Sequence, residues 1–250
     1  MQPFVEKYRV LGIKHRPLWE GAQISEVKSW HRIADDLIDF LDQQGAQQII
    51  GVGHSLGAVS TLLAAEKRPD LFRALVLIEP ALLPPRLRFW IRLTPHALRM
   101  RIPIVQTALR RRDTWESPQA LFNYYRPKRV FSQLSDSVLW DFVKFGTRET
   151  ADGQITLAYS KEWEAHIYSR ITPIWRSMRR VHIPTFAIRA GKSDTVSQES
   201  WAYWQKMQPT ADFLEIPDTT HLIPLERPVA LAQTVLTYLD KLASNSISFS

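Results

Sequence analysis

A serine, a carboxylate and a histidine follow one another along the chain at positions that could work together in catalysis. Ser55 lies in Gly53-His54-Ser55-Leu56-Gly57, which has the spacing Gly-x-Ser-x-Gly. A serine hydroxyl attacks carbonyl groups efficiently only when a base removes its proton and an acid orients that base. Asp194 and His221 come later in the chain, in the order expected when the serine lies between a strand and a helix. The pattern predicts nucleophilic acyl transfer.

Short apolar runs rich in β-branched residues alternate with segments that have helical periodicity. The predicted strands are residues 9–13, 48–54, 74–80, 184–191 and 212–217. The predicted helices are residues 29–44, 55–67, 199–207 and 228–242. This alternation predicts an α/β fold with a mainly parallel sheet. Ser55, Asp194 and His221 would then all lie just past the carboxyl ends of strands, where such sheets place their sites.

Ser55 would occupy a sharp turn between the strand 48–54 and the helix 55–67. Such a turn exposes the hydroxyl, and Gly53 and Gly57 are expected to remove side chains that would collide across it. The amino end of the helix directs free amides toward the site. The alternative interpretation is a glycine-rich turn in which Ser55 only caps the helix. For Asp194 and His221 the alternatives are a solvated turn residue and a surface histidine.

Residues 82–182 interrupt the alternation and are predicted to form a helical insertion, a cap, between two parts of a core, 1–81 and 183–250. Seven prolines fall in this segment, and its predicted helices are short. They are residues 87–93, 96–111, 117–124, 135–146 and 161–178. Residues 82–180 carry 18 Lys and Arg against 8 Asp and Glu, so the net charge of +7 comes from this part of the chain.

Residues 84–112 are largely apolar but contain many arginines, and this stretch has three interpretations. It could form a lid whose arginines face water, a basic face that contacts a lipid surface weakly, or a site that prefers acidic substrates. Nucleic acid is not expected as a partner, because no known binding module accompanies the charge. The aromatic residues of the segment indicate either an apolar acyl or alcohol pocket or the core of the lid itself. They are Trp90, Trp115, Tyr124, Tyr125, Trp140, Phe142, Trp163 and Trp175.

Composition excludes several other classes of protein. The 250 residues include no cysteine, so disulfides, thiolate nucleophiles and cysteine metal sites are excluded. There is no apolar run long enough for a membrane-spanning helix, and the first residues lack the pattern of a signal peptide. These features are compatible with a cytoplasmic protein.

Three segments resemble motifs of the α/β-hydrolase superfamily: GHSLGA at 53–58, RAGKSDTV at 189–196 and HLIPLERP at 221–228. The resemblance implies that Ser55 is the nucleophile, Asp194 the acid and His221 the base. It also implies that the Leu56 amide stabilises the oxyanion and that no metal or organic cofactor is needed. Glu79 is the alternative acid, because some members carry their acid after the corresponding strand. Asp218 is expected to cap a loop, and His54 to pack beside the nucleophile.

The family pattern normally has three more strands and a helix ahead of residues 8–18. A loop after the third of these strands donates the second amide of the oxyanion hole. By this comparison the chain is expected to lack those strands, either through truncation or as a real shortened variant. The strand 9–13 would then have to pair directly with 48–54 or leave unpaired backbone groups.

The expected activity is hydrolysis of an ester-type bond in a small, apolar acyl substrate through an acyl-enzyme. The same three residues could also support C–C bond hydrolysis or acyl transfer to another acceptor. An inactive or non-catalytic binding protein of the same fold remains the alternative from another class.

Overall fold

The computed structural model describes residues 2–87 and 93–247, and seven strands lie within these ranges. In chain order they are β1 (Ile49–His54), β2 (Phe72–Ile78), β3 (Thr114–Trp115), β4 (Thr147–Glu149), β5 (Ile155–Leu157), β6 (Thr185–Ala190) and β7 (Asp212–Ile216). The main sheet is parallel and has the order β1-β2-β6-β7. The predicted α/β fold with a mainly parallel sheet is therefore confirmed.

The two central strands explain why their sequences are apolar on consecutive residues. All six residues of β6 are buried, as are six of the seven in β2. A strand that helices cover on both faces has no solvent side, so the usual alternation of polar and apolar residues disappears. The strands predicted at 48–54, 74–80, 184–191 and 212–217 are confirmed, with ends shifted by one or two residues.

Twelve α-helices lie within the described ranges. In chain order they are α1 (Gln2–Val5), α2 (His31–Gln43), α3 (Leu56–Lys67), α4 (His96–Arg99), α5 (Pro103–Leu109), α6 (Pro118–Tyr125), α7 (Asp136–Phe145), α8 (Lys161–Ser169), α9 (Trp175–Arg180), α10 (Gln198–Met207), α11 (Ile223–Glu226) and α12 (Pro228–Ile247). The four helices predicted outside the insertion are confirmed as α2, α3, α10 and α12. None of the helices in the described ranges has the length and apolarity needed to span a bilayer.

Helices cover both faces of the main sheet. Leu75 and Leu77 of β2 point into a large apolar cluster with α2, α3 and α10. Val76 and Ile78 alternate with them and pack against α12 on the opposite face. This two-sided burial fixes the register of β2 and so fixes where its carboxyl end emerges.

The strand predicted at residues 9–13 is not formed. These residues have no regular secondary structure, and Leu11 is 38% exposed. A strand needs a partner for its backbone groups. In the described part of the chain, β1 pairs with β2 alone. The apolar composition of residues 9–13 predicted a strand. In the described part of the chain these residues have neither a partner strand nor a buried position, so the prediction was wrong.

Residues 82–182, which we call the connecting segment, run between β2 and β6 and are more broken than predicted. Pro103 starts α5, so the predicted helix 96–111 is divided into α4 and α5. Likewise, residues 170–174 with Pro173 separate α8 from α9 where one helix was predicted over 161–178. Proline lacks the amide and the freedom in φ that a continuous helix requires. The helix predicted at 87–93 falls mostly on residues 88–92, which lie outside the described residues.

The connecting segment also contains a small antiparallel sheet that the sequence does not predict. Its order is β3-β5-β4, and its strands have only two or three residues each. Such short strands are below the length at which alternation can be recognised in a sequence. The division into a core and a cap stays a prediction.

Candidate active site

Ser55 lies between β1 and α3 in a backbone conformation that is rare for residues other than glycine, with φ 54° and ψ −119°. A Cβ atom on Gly53 would lie 2.4 Å from backbone atoms of Gly57, so the turn needs glycine at position 53. Gly57 differs from the prediction, because a Cβ there would meet only His15, at an ordinary distance of 3.9 Å. The strained turn holds the Ser55 side chain at the carboxyl edge of the sheet.

His221 follows β7 and connects Ser55 to a carboxylate. Its Nε2 atom lies 3.0 Å from the Ser55 Oγ atom, and its Nδ1 atom lies 3.2 Å from Oε2 of Glu79. Because an ionised carboxylate can only accept, Nδ1 donates to Glu79, and the neutral ring then leaves Nε2 free to accept the Ser55 proton. This is the arrangement of a nucleophile, a base and an orienting acid.

Glu79 is fixed by its strand and by three hydrogen-bond donors. It directly follows β2, is completely buried, and has a positive φ of 45°. Its Oε1 atom accepts from the Ala190 amide at 2.6 Å, and its Oε2 atom accepts from Ser193 Oγ at 2.7 Å as well as from His221. These donors compensate for the removal of the carboxylate from water.

Asp194, predicted as the acid, does not contact His221. It is exposed, and its carboxylate accepts a hydrogen bond from Thr195 Oγ1 at 3.2 Å. The amides of Thr195 and Val196 donate to Ser193 Oγ, and this turn directs Ser193 inward toward Glu79. The structure therefore does not bring Asp194 to His221, and the carboxylate that contacts His221 is that of Glu79, the alternative acid. Asp218 has φ 56° and forms an exposed ion pair with Lys192.

His54 supports the base from the other side. Its Nε2 atom donates to the His221 carbonyl at 2.8 Å, and the two rings lie 4.7 Å apart. Burial lowers the pKa of His54 to about 4, so the ring is neutral near pH 7. His54 thus helps to hold the His221 backbone, a role that its place in the motif did not reveal.

Glu226 secures the loop that carries His221. Its buried carboxylate accepts hydrogen bonds from both the amide and the hydroxyl of Thr220, the residue before His221. This explains the glutamate of the HLIPLERP motif, which fixes the loop that carries His221. The Leu56 amide lies in the first turn of α3, where helix amides have no partner within the helix.

The aromatic residues of the connecting segment mostly form apolar cores. Trp163 and Trp175 pack in the same cluster as Leu82 and Val196, and Leu56 packs against that cluster. Trp115, Tyr125 and their neighbours form a separate cluster within the connecting segment. That second cluster favours the interpretation in which the aromatic residues form the core of the lid itself. It contains Trp115, Tyr124, Tyr125 and Phe142. Trp140 is 38% exposed and stacks on Phe122, and Trp90 lies outside the described residues.

Residues 16–234 match the sequence profile of the alpha/beta hydrolase family. No curated protein sequence matches the chain significantly. Among the described residues, no three metal-ligating side chains of the usual types come together.

Many solved structures share the fold. One is an E-2-(acetamidomethylene)succinate hydrolase, with a TM-score of 0.67 and 19% identity, covering 85% of this chain and 74% of that one. Another is a peroxisomal alpha-beta-hydrolase from Saccharomyces cerevisiae, with a TM-score of 0.69 and 18% identity, covering 87% and 62%. A third is an esterase from Mycobacterium tuberculosis, with a TM-score of 0.65 and 21% identity, covering 85% and 69%.

Proposed function

Because the chain belongs to the α/β-hydrolase family, we propose that it is a serine hydrolase that cleaves an ester-type acyl bond. The observation that carries the proposal is the continuous chain of hydrogen bonds from Ser55 through His221 to Glu79. Its two distances, 3.0 Å and 3.2 Å, are at the upper end of the range for proton transfer in a resting site. This assignment replaces Asp194 with Glu79 as the acid.

The first half of the reaction transfers the acyl group to Ser55. As the Ser55 Oγ atom bonds to the carbonyl carbon, its proton moves to Nε2 of His221. Glu79 stabilises the imidazolium that forms, and the Leu56 amide donates to the negative oxygen of the tetrahedral intermediate. The bond to the leaving group then breaks, and the leaving group takes the proton from His221.

The second half releases the acyl group. Water gives one proton to His221 and bonds to the acyl carbon, and collapse of the second tetrahedral intermediate returns that proton to Ser55 Oγ. The products are a carboxylic acid and the free enzyme. The same residues would serve C–C bond hydrolysis or transfer to another acceptor, but no contact among the described residues favours either over water.

We further propose a small substrate with an apolar acyl group. Leu56, which follows the nucleophile, packs against the cluster that contains Trp163 and Trp175 of the connecting segment. Tyr159 and Ile171 are partly buried against the same cluster. Apolar surroundings of this kind suit an acyl chain better than a charged one. The esterase among the similar structures agrees with hydrolysis of an ester-type bond.

Labelling with a fluorophosphonate tests the proposal, because this probe phosphonylates only an activated serine. The wild-type protein and Ser60→Ala, a control one turn along α3, should be labelled, whereas Ser55→Ala should not. Hydrolysis of a short p-nitrophenyl ester by Ser55→Ala should fall by about 10⁴–10⁶-fold in kcat. Labelling that persists in Ser55→Ala, or is absent from folded wild-type protein, would exclude this function.

A further inference from the structure

Helices α4 and α5 of the connecting segment are fixed to α8 by a small apolar core. Val105 and Ala108 of α5 are fully buried and pack in one cluster with Ala165 of α8. Met100 and Ile102, which lie between α4 and α5, are partly buried against the same cluster. This core sets which side of α5 faces α8 and which side faces solvent.

The solvent side of α5 follows helical spacing. Pro103, Ile104 and Thr107 are at least 36% exposed, and so is Arg110, the residue after the last turn. Their spacing of i, i+1, i+4 and i+7 places them along one stripe of a helix, opposite Val105. Ile104, with 53% of its surface exposed, therefore points away from the apolar core and into solvent.

Two more exposed residues come directly before α5. Leu98 of α4 is 50% exposed, and Arg101 is exposed in the turn between the two helices. We call Leu98, Arg101, Ile104 and Arg110 the outer face of α4 and α5. It combines two large aliphatic side chains with two guanidinium groups.

The arginines of the outer face carry positive charge without an acidic partner. Residues 80–112 contain eight arginines and no Asp, Glu or Lys. Arg101 and Arg110 form no salt bridge among the described residues. Arg111, by contrast, contacts Glu164 of α8 at 2.8 Å. The charge of the outer face is therefore available to a negatively charged partner.

The exposed aliphatic residues distinguish the three interpretations of this stretch. A lid that only covers a site turns its arginines to water and its apolar residues inward. A site for an acidic substrate needs the arginines but gives Leu98 and Ile104 no reason to be exposed. A surface with exposed aliphatic and basic side chains together is typical of a segment that lies on an anionic membrane.

We propose that the outer face of α4 and α5 binds the surface of an anionic lipid bilayer. Leu98 and Ile104 enter the boundary between the headgroups and the acyl chains. Arg101 and Arg110 contact the lipid phosphates, which match the paired nitrogens of a guanidinium group. This claim is separate from the hydrolase activity, because none of these residues belongs to the hydrogen bonds around Ser55.

Other partners fit the outer face less well. A symmetric contact with a second copy of this chain would bring arginines against arginines, which is repulsive. Nucleic acid would bind the arginines through its phosphates but would leave the aliphatic side chains in water. A bilayer accepts both kinds of side chain at one surface, so it accounts for the whole outer face.

Flotation with lipid vesicles tests the role of the arginines. The wild-type protein should float with vesicles of phosphatidylglycerol and phosphatidylcholine in equal parts, but not with phosphatidylcholine alone. Arg101→Gln with Arg110→Gln should lower the partition coefficient by about 25-fold, or about fivefold for each charge. The matched control replaces two exposed arginines of α9, Arg176→Gln with Arg179→Gln, and should lower it by less than about twofold. Equal losses in the two double variants, or no flotation of the wild type, would overturn the proposal.

A second pair of variants tests the aliphatic part. Ile104→Gln should lower the partition coefficient by about tenfold, because an apolar contact with the bilayer is lost. Val229→Gln is the control, since Val229 is 62% exposed on α12, and it should bind as the wild type does. If Ile104→Gln also binds as the wild type does, the outer face attracts anions in general and the bilayer is not its partner. A dimer of the wild-type protein that Ile104→Gln dissociates in sedimentation would instead assign the face to a second copy.

Discussion

Glu79 and Asp194 show that the direction of a side chain, rather than its place along the chain, decides which carboxylate contacts His221. Both follow main-sheet strands at the edge where Ser55 lies. Glu79 is buried and bonded to His221, Ala190 and Ser193, whereas Asp194 is exposed. A carboxylate that is fixed by several donors can hold the histidine ring in one orientation throughout the reaction.

Neutralising each carboxylate separately distinguishes the two acids. Glu79→Gln should lower kcat by about 10⁴-fold, because the amide favours the wrong histidine tautomer and cannot stabilise the imidazolium. Asp194→Asn should leave kcat within about twofold of wild type, since its contact with Thr195 is solvent-exposed. Ester hydrolysis kinetics measure both. A larger loss in Asp194→Asn than in Glu79→Gln would restore Asp194 as the acid.

Ser193 is a positioning residue for Glu79. Ser193→Ala removes a hydrogen bond of 2.7 Å to the carboxylate, a charge-assisted contact whose loss should lower kcat by about tenfold with little change in KM. Ser193→Thr keeps the hydroxyl and should recover most of the rate. A rise in KM with unchanged kcat would show that Ser193 contacts the substrate instead.

Ser55 and His221 could be predicted from the sequence, but the sequence could not decide between Asp194 and its alternative, Glu79, as the carboxylate that contacts His221. The serine and the histidine each carry a local motif, and the structure brings their side chains together. The acid depends on a turn at 191–197 in which Ser193 Oγ accepts two amides, and no spacing rule reveals which side chain such a turn directs inward.

At the scale of elements, the turn between β1 and α3 depends on one of its two glycines. A Cβ on Gly53 would lie 2.4 Å from Gly57 and 2.5 Å from the Ala58 nitrogen, which is closer than real atoms approach. Both contacts are backbone atoms, so relief would require the strand and the helix to move apart. The site would then lose the alignment of Ser55 with His221.

Alanine substitutions at the two glycines test this directly. Gly53→Ala should lower the free energy of unfolding by about 3 kcal/mol through overpacking, while Gly57→Ala should change it by less than about 1 kcal/mol. Urea unfolding followed by circular dichroism gives both values. Equal losses of unfolding free energy in the two variants would mean that the turn can accommodate a Cβ atom at position 53. The close contacts of Gly53 would then not determine its stability.

The elements themselves could be predicted where burial is strong. β2 and β6 are apolar runs buried on both faces, and their sequences indicate this directly. Residues 9–13 have similar composition but no partner strand in the described part of the chain, and pairing is a tertiary property that composition does not encode. The break at 170–174 likewise depends on Pro173, which ends the helical pattern that composition predicts over 161–178.

At the scale of the whole molecule, buried hydrogen bonds join the connecting segment to the layer around α2. Trp30 Nε1 donates to the Ile167 carbonyl at 2.9 Å, and His166 Nε2 donates to the Val27 carbonyl at 2.7 Å. Trp163 and Trp175 lie in the same apolar cluster as α2 and α3. We therefore expect this part of the connecting segment to unfold together with the sheet.

Histidines that must remain neutral make the folded molecule sensitive to acid. Burial lowers the pKa of His15, His54, His96 and His166 from the ordinary value of 6.5, and for His54 to about 4. The unfolded chain therefore binds more protons than the folded protein below about pH 6.5. The stability that these neutral histidines contribute is complete above that pH. It is lost as the pH falls toward their folded-state pKa values.

His54 supplies the largest defined part of this effect. Between pH 7 and pH 5 its shift should cost about 2 kcal/mol of unfolding free energy, a loss that His54→Asn should remove from the pH dependence. The exposed His182 is the control, and His182→Asn should keep the wild-type slope. Urea midpoints at the two pH values measure the slope for each protein. If His54→Asn is as acid-sensitive as the wild type, the acid sensitivity arises elsewhere and His54 is not held neutral by burial.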